Sequence, residues 1–175
     1  MRGDGVELLR AALARKRDAI VRAWLAETLR SYAEHTARFL SQDTDPFRNP
    51  AGHTLSQGLP ALYDALLGGM DAVGIAPLLD PIVRMRAVQD FSPSQAIAFV
   101  FLLKPVIRAV LKDDAQPISP ADGLAAVETR IDAMALLAFD LFVQCREQIS
   151  EIRAGEAGRR TFVWDRMNRK RTGVG

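Results

Sequence analysis

Two short blocks hold the residue types that could carry chemistry. The first, Asp80-Pro-Ile-Val-Arg-Met-Arg-Ala-Val-Gln-Asp-Phe-Ser-Pro-Ser-Gln95, contains Arg84, Arg86, Gln89 and Asp90. Arg84 and Arg86 stand two residues apart and cannot share a helix face, whereas Arg86, Gln89 and Asp90 can. The plainer alternative is that Arg86 simply pairs with Asp90. The second block, Asp45-Pro-Phe-Arg-Asn-Pro-Ala-Gly-His53, is a polar loop leading into a helix start. There Arg48, His53 and the free N–H groups of the helix terminus could receive an anion; the alternative is a structural loop with an ordinary capping role. Arg48, His53, Arg84, Arg86 and Gln89 are the candidate ligand or partner contacts.

Catalytic arrangements are missing. The chain has two histidines, His35 and His53, and one cysteine, Cys145. It has no G-x-S-x-G elbow, no phosphate-cradling G-x-x-x-x-G-K-[ST] loop, no dinucleotide-type G-x-G-x-x-G and no H-E-x-x-H. Asp113-Asp114 reads as a helix terminus and not as an acid–base pair. Cys145 falls on an apolar helical seam, where a small core residue is expected and not a nucleophile. A single cysteine allows neither an internal disulfide nor a cysteine-held metal centre. The expectation is no enzyme, no metal and no cofactor.

The elements that must position the two blocks are helices. Ser92-Pro93-Ser94-Gln95 combines an N-cap, a proline at the first helical position and a glutamine that can reach back; Ser119-Pro120-Ala121-Asp122 repeats the pattern with an acid. Asp4 with Glu7 and Thr54 with Gln57 have the same spacing, and Asp45-Pro46 and Asp80-Pro81 offer weaker starts. Leu55, Leu59, Leu62, Leu66 and Met70 step by three or four, as do Leu124, Val127, Ile131, Met134, Ala138, Leu141 and Cys145. Strand-type alternation is absent. The pattern predicts an all-α fold: a helical N-terminal region at about 5–40, a loop at 41–53, and helices at about 54–69, 76–90, 93–113 and 120–153. The domain division expected is 1–153 for the helical domain and 154–175 for a basic tail.

Charge and hydropathy bound the partners. Twenty-three basic and 21 acidic residues leave a net +2, too little to argue for nucleic acid. Met1 to Arg10 is charged and unlike a secretory signal. The most apolar run, Ala96 to Val110, is broken by Lys104, Pro105 and Arg108 and reads as a core helix, not a membrane span. Together these point to the cytoplasm and to no integral membrane segment. From Arg153 onward, seven basic residues stand against two acids, a net +5. Such a tail is either a solvated extension or a grip for an acidic partner, with Phe162, Val163 and Trp164 as an anchor.

On the last helix the stripe opposite the seam runs Glu128, Asp132, Leu136, Asp140, Gln144. Leu136, with Phe139 and Val143 extending it, predicts an apolar patch rimmed by acids and hence a homodimer. Lys104, Arg108 and Lys112 on the preceding helix are expected to supply the complementary charges across the two-fold axis.

Asp45-Pro-Phe-Arg-Asn-Pro with Gly52-His53, and then Arg84-Met-Arg-Ala-Val-Gln-Asp-Phe-Ser-Pro-Ser-Gln95, resemble the RsbR/RsbRD N-terminal domain family over roughly residues 20–153. The resemblance implies the sensory domain of a stressosome-type regulator: a globin-like helical fold, usually without haem, working as a dimer. On that fold 54–69 is the E helix, 76–90 the F region, 93–113 the G helix and 120–153 the H helix. Short stand-alone members in sulfur-metabolising bacteria look particularly similar, and a protein partner in a signalling or sulfur-metabolism complex is implied. The regulators carry a STAS-type output domain after the sensor, and none is expected within this sequence. Two alternatives stand beside this reading: a haem-binding globin-type gas sensor, and a basic-tailed adaptor of a membrane or nucleic-acid complex. Against haem, 76–90 contains no histidine, tyrosine or cysteine, Met85 would be a weak sole ligand, and His53 comes too early for a distal position.

Overall fold

The computed structural model describes residues 2–32, 34–42, 45, 47–89, 91–112 and 123–172. Among these residues the chain is all-α. The helices are α1 (Arg2–Arg15), α2 (Arg17–Leu29), α3 (Glu34–Gln42), α4 (Pro50–Leu67), α5 (Ala72–Val88), α6 (Pro93–Lys112) and α7 (Leu124–Thr172). The chain divides into two compact units, Met1–Phe142 and Val143–Gly175.

The helix boundaries follow from caps. Ser92 starts α6 as expected: Gln95 N donates to Ser92 Oγ, and Ser92 N donates back to Gln95 Oε1, so two otherwise orphan N–H groups are satisfied. Elsewhere the true caps lie upstream of the expected ones. Asn49, not Thr54, caps α4, its Oδ1 accepting from Gly52 N at 2.8 Å with Pro50 in the first turn. Thr54 lies inside the helix and donates to the Pro50 carbonyl. Asp71, not Asp80, caps α5 by accepting from Gly74 N. Pro77 and Pro81 are helical, so Asp80-Pro81 is no start. Asp4 likewise lies within α1. The Ser119 to Asp122 cap, Asp113-Asp114 and the His35 side chain lie outside the described residues.

The core of the first unit is built from the periodic apolar positions. Trp24 and Tyr63 are fully buried, with Leu55, Leu59, Leu62, Leu79, Ile82, Val83, Val100 and Leu103. Each large polar aromatic finds an acceptor: Trp24 Nε1 donates to the Phe99 carbonyl at 2.6 Å, and Tyr63 Oη to the Leu13 carbonyl at 3.0 Å. These bonds tie α2 to α6 and α4 to α1. By length and composition α6 could cross a membrane, yet it buries Ala96, Phe99, Val100, Leu103, Val106 and Ile107, as a core helix does.

The seam of α7 faces inward within the first unit, where Ile131, Met134 and Ala138 are buried, while Leu136 is 69% exposed. Beyond residue 142 the same helix continues without interruption through residue 153 to Thr172. The segment contains no proline, and Gly155 and Gly158 are outnumbered by good helix formers, so nothing stops the helix before Gly173.

Candidate functional site

Arg86 lies on the apolar stripe of α5, at helical spacing with Leu79, Ile82 and Val83. A guanidinium at such a position must leave water, and Arg86 is 0% exposed. Three rings surround its central carbon: Phe91 at 4.4 Å, Tyr32 at 5.2 Å and Phe99 at 5.6 Å from the ring centroids. Tyr32 and Phe91 pack edge to face with centroids 5.2 Å apart. The cage thus draws on the turn after α2, the corner between α5 and α6, and the first turns of α6.

The cation is incompletely satisfied. Nη2 donates to Ser31 Oγ at 2.9 Å and to the Gln95 carbonyl at 3.2 Å. Nε and Nη1 are buried and have no acceptor. Aromatic faces attract the charge but accept no strong hydrogen bond in the guanidinium plane. Burial pulls the Arg86 pKa below its ordinary value, and the Tyr32 oxygen acts in the opposite sense. Burial likewise pushes the Tyr32 phenol up, with Arg86 opposing. On the α2 side, Ser31 Oγ donates onward to the Thr28 carbonyl at 2.7 Å, and the Thr28 hydroxyl is itself buried without a partner.

The expected site residues therefore separate. Gln89 joins the cage from its rim: its Oε1 accepts from Tyr32 Oη at 3.3 Å. Arg84 points to the surface, where Asp80 receives its Nε in an i, i+4 pair. Asp90, the alternative partner of Arg86, lies outside the described residues. Arg48 is exposed in the turn before α4, and His53 is exposed on the first turn of that helix.

At the start of α4, Asn49 fills the terminus with its own side chain. Asn49 Nδ2 also donates to the Leu40 carbonyl at 3.0 Å, locking α3 onto α4. A Cβ at Gly52 would lie 2.2 Å from Asn49 Nδ2, so only glycine fits beneath this lock. The Asn49-to-Gly52 part of that block is thus a structural clasp.

Ser31, Tyr32, Phe91, Gln95 and Phe99 were not among the expected contacts. The arginine on an apolar stripe was the available signal; Ser31 and Tyr32, more than fifty residues away, were not readable from spacing, whereas Phe91 and Gln95 stood in the same block and Gln95 was read only as part of a cap. Two clefts of about 150 and 210 Å³ flank Arg130, whose Nη1 donates to the Leu66 carbonyl at the end of α4. Both are lined mostly by apolar side chains and neither includes the cage.

Residues 18–157 match the family described as RsbT co-antagonist protein rsbRD N-terminal domain, and the chain belongs to that family. This places it among the sensory and regulatory domains of the stressosome RsbR type. No curated protein and no solved structure matches the chain.

Proposed function

We propose that this chain is a non-catalytic, globin-like sensory domain that regulates a partner protein through a change in the packing of α6 against α2 and α5. The observation that carries this reading is the Arg86 cage. One cation joins three elements, and its unmet hydrogen bonds make the observed packing less than optimal there. A buried polar hub of this kind is a natural element to bias between two arrangements, because a buried donor left without a partner costs about 1–3 kcal/mol and one that gains a partner recovers it. A signal acts by favouring one arrangement over the other.

Dimerisation supplies the readout surface. Lys104 bonds Asp132 at 2.5 Å and Arg108 bonds Glu128 at 2.6 and 2.8 Å within the chain. The charges expected to bridge two protomers are therefore engaged inside one. The pairs step four residues forward on α6 and four back on α7, so the helices run antiparallel. About one turn further along the same two helices stand the exposed Phe101, three residues before Lys104, and Leu136, four after Asp132. Phe101, Leu136 and Phe139 form the apolar centre of the proposed homodimer face, rimmed by those ion pairs. The partner belongs to a signalling or sulfur-metabolism complex in the cytoplasm.

The test is made in the native cell, comparing transcript profiles of the wild type, a deletion strain and a strain encoding Arg86→Met at the same locus. The expected result is that the variant accumulates to wild-type levels yet loses the regulation that the deletion loses. A wild-type profile from Arg86→Met would refute the role given to the cage.

A further inference from the structure

The unsatisfied edges of Arg86 have a chemistry of their own. A carboxylate takes an arginine through one of two edges, Nε with Nη2 or Nη1 with Nη2. Arg17 and Arg108 hold Asp64 and Glu128 through the first of these. At Arg86 both Nε and Nη1 are open, and Nη2, common to both edges, is held by Ser31 and the Gln95 carbonyl. A forked acceptor that engages either edge must take Nη2 from one of those two groups. The first loosens the turn after α2; the second loosens the start of α6. Ser31 keeps its bond to the Thr28 carbonyl when released, so that exchange costs the fold little.

The surroundings limit what can enter. The cage contributes one positive charge. Arg84, the nearest cation in sequence, turns instead to Asp80. A singly charged ligand is neutralised there, while a second negative charge would be buried without compensation. Phe91 and Phe99 lie over the guanidinium with centroids 4.4 and 5.6 Å from its carbon, which favours a flat ligand in its plane over a tetrahedral one. The cover is thin: Tyr32 and Phe91 are only half-buried, and Gln89, which holds Tyr32 through one long hydrogen bond, is exposed. A turn of the Tyr32 ring uncovers the site.

We propose that Arg86 is the receptor for a small, planar, singly charged oxyanion, carboxylates foremost, which exchanges with Ser31 or Gln95 at Nη2 and so shifts the α2–α5–α6 corner. This rests on the sensory reading above and names the chemical class of its signal.

Trp24 reports the event. It donates to the Phe99 carbonyl and stacks near the Phe99 ring at 6.3 Å, and that ring is a wall of the cage. The full chain carrying Trp164→Phe is titrated with sodium formate and sodium acetate at pH 7, with chloride holding the ionic strength constant. Nitrate and sulfate serve as parallel arms. The expected result is a saturable change in Trp24 fluorescence with formate and acetate, a rise in Tm of about 5 °C near saturation, and no response to sulfate. Nitrate inactive alongside active carboxylates assigns a carboxylate signal; nitrate equally active assigns the wider class of planar monoanions. Arg86→Met, and Arg86→Lys, which keeps the charge but lacks the fork, are expected to weaken the response at least ~10-fold while retaining the helical circular dichroism. The proposal fails if no anion gives a saturable response, or if Arg86→Met responds like the parent. It fails too if the response appears only in Asp90→Asn, which would make Asp90 the resident counter-ion. Absence of an anion response with loss of regulation by Arg86→Met in the cell removes this inference and leaves the sensory reading standing.

Discussion

The guanidinium carbon of Arg86 lies 4.4 Å from the centroid of the Phe91 ring, five positions further along the chain. That contact closes the corner between α5 and α6 over a charge that water cannot reach. The Gln95 carbonyl completes the corner by accepting from the same side chain. The beginning of α6 is thus held by the group whose bonding is least complete, and α6 also carries Lys104 and Arg108, which bond to α7.

Self-association follows from the outer face. Leu136 is 69% exposed in a position flanked on its own helix by Asp132 and Asp140. Leu136→Glu places a charge at the centre of the proposed interface and should give a folded monomer by sedimentation velocity, with unchanged circular dichroism. A wild type that is monomeric at high concentration would show that the interface is absent, and a variant that remains dimeric would put it elsewhere.

The ion pair between Arg108 and Glu128 makes an acid-sensitive contribution. Arg108, bonding through Nε and Nη2, holds the Glu128 carboxyl below its ordinary value of 4.5. A carboxyl with a lowered folded pKa stabilises the fold above 4.5, and that stabilisation fades as the pH falls through the depressed value. Urea unfolding at pH 7, 4 and 3 should show stability falling with acid, with Glu128→Gln less stable at pH 7 and converging on the wild type at pH 3. The gap should be small, since Arg108 is largely exposed. Parallel curves at every pH would show that the pair is not what titrates.

The C-terminal segment separates helix content from stability. Because α7 continues to Thr172, truncation after Arg153 should lower the ellipticity per molecule in proportion to the helix removed. The Tm is expected to move by less than about 2 °C, because helix formation by itself adds little to stability without tertiary packing. A larger fall would assign Phe162 and Trp164 to the core.

Haem is expected not to bind. No histidine, tyrosine or cysteine occurs between Ala72 and Val88, and His53 is exposed at the start of α4. Reconstitution with haem should give no stoichiometric Soret band; a band of that strength would revive the gas-sensor reading.

Much of the fold was legible because helix periodicity and capping are local. The seam of α7 and the Ser92 cap could be read directly. The Asn49 cap escaped because Asn-Pro reads first as a turn; its role depends on Leu40, brought near by the packing of α3 on α4. The stripe Lys104, Arg108, Lys112 was visible, but spacing cannot say whether its partners lie in the same chain or in a second copy. Arg86 was legible as a candidate through its neighbours Gln89 and Asp90. Its actual setting depends on Ser31 and Tyr32, which only the tertiary fold supplies.

The most direct test of the central claim is the thermal stability of Arg86→Met. If Arg86 is retained for signalling against the interest of the fold, an apolar side chain of similar length should fill the cage without loss. Ser31 keeps Thr28 as a partner, the Gln95 carbonyl keeps its place in the α6 ladder, and the unmet donors disappear. The expected Tm is equal to or above the wild type's, as when buried ionic groups are replaced by packed apolar ones, with changes of order 0 to 4 kcal/mol in favour of the variant. A destabilisation of about 3 kcal/mol or more would show that Arg86 is a satisfied structural anchor, and would contradict the account.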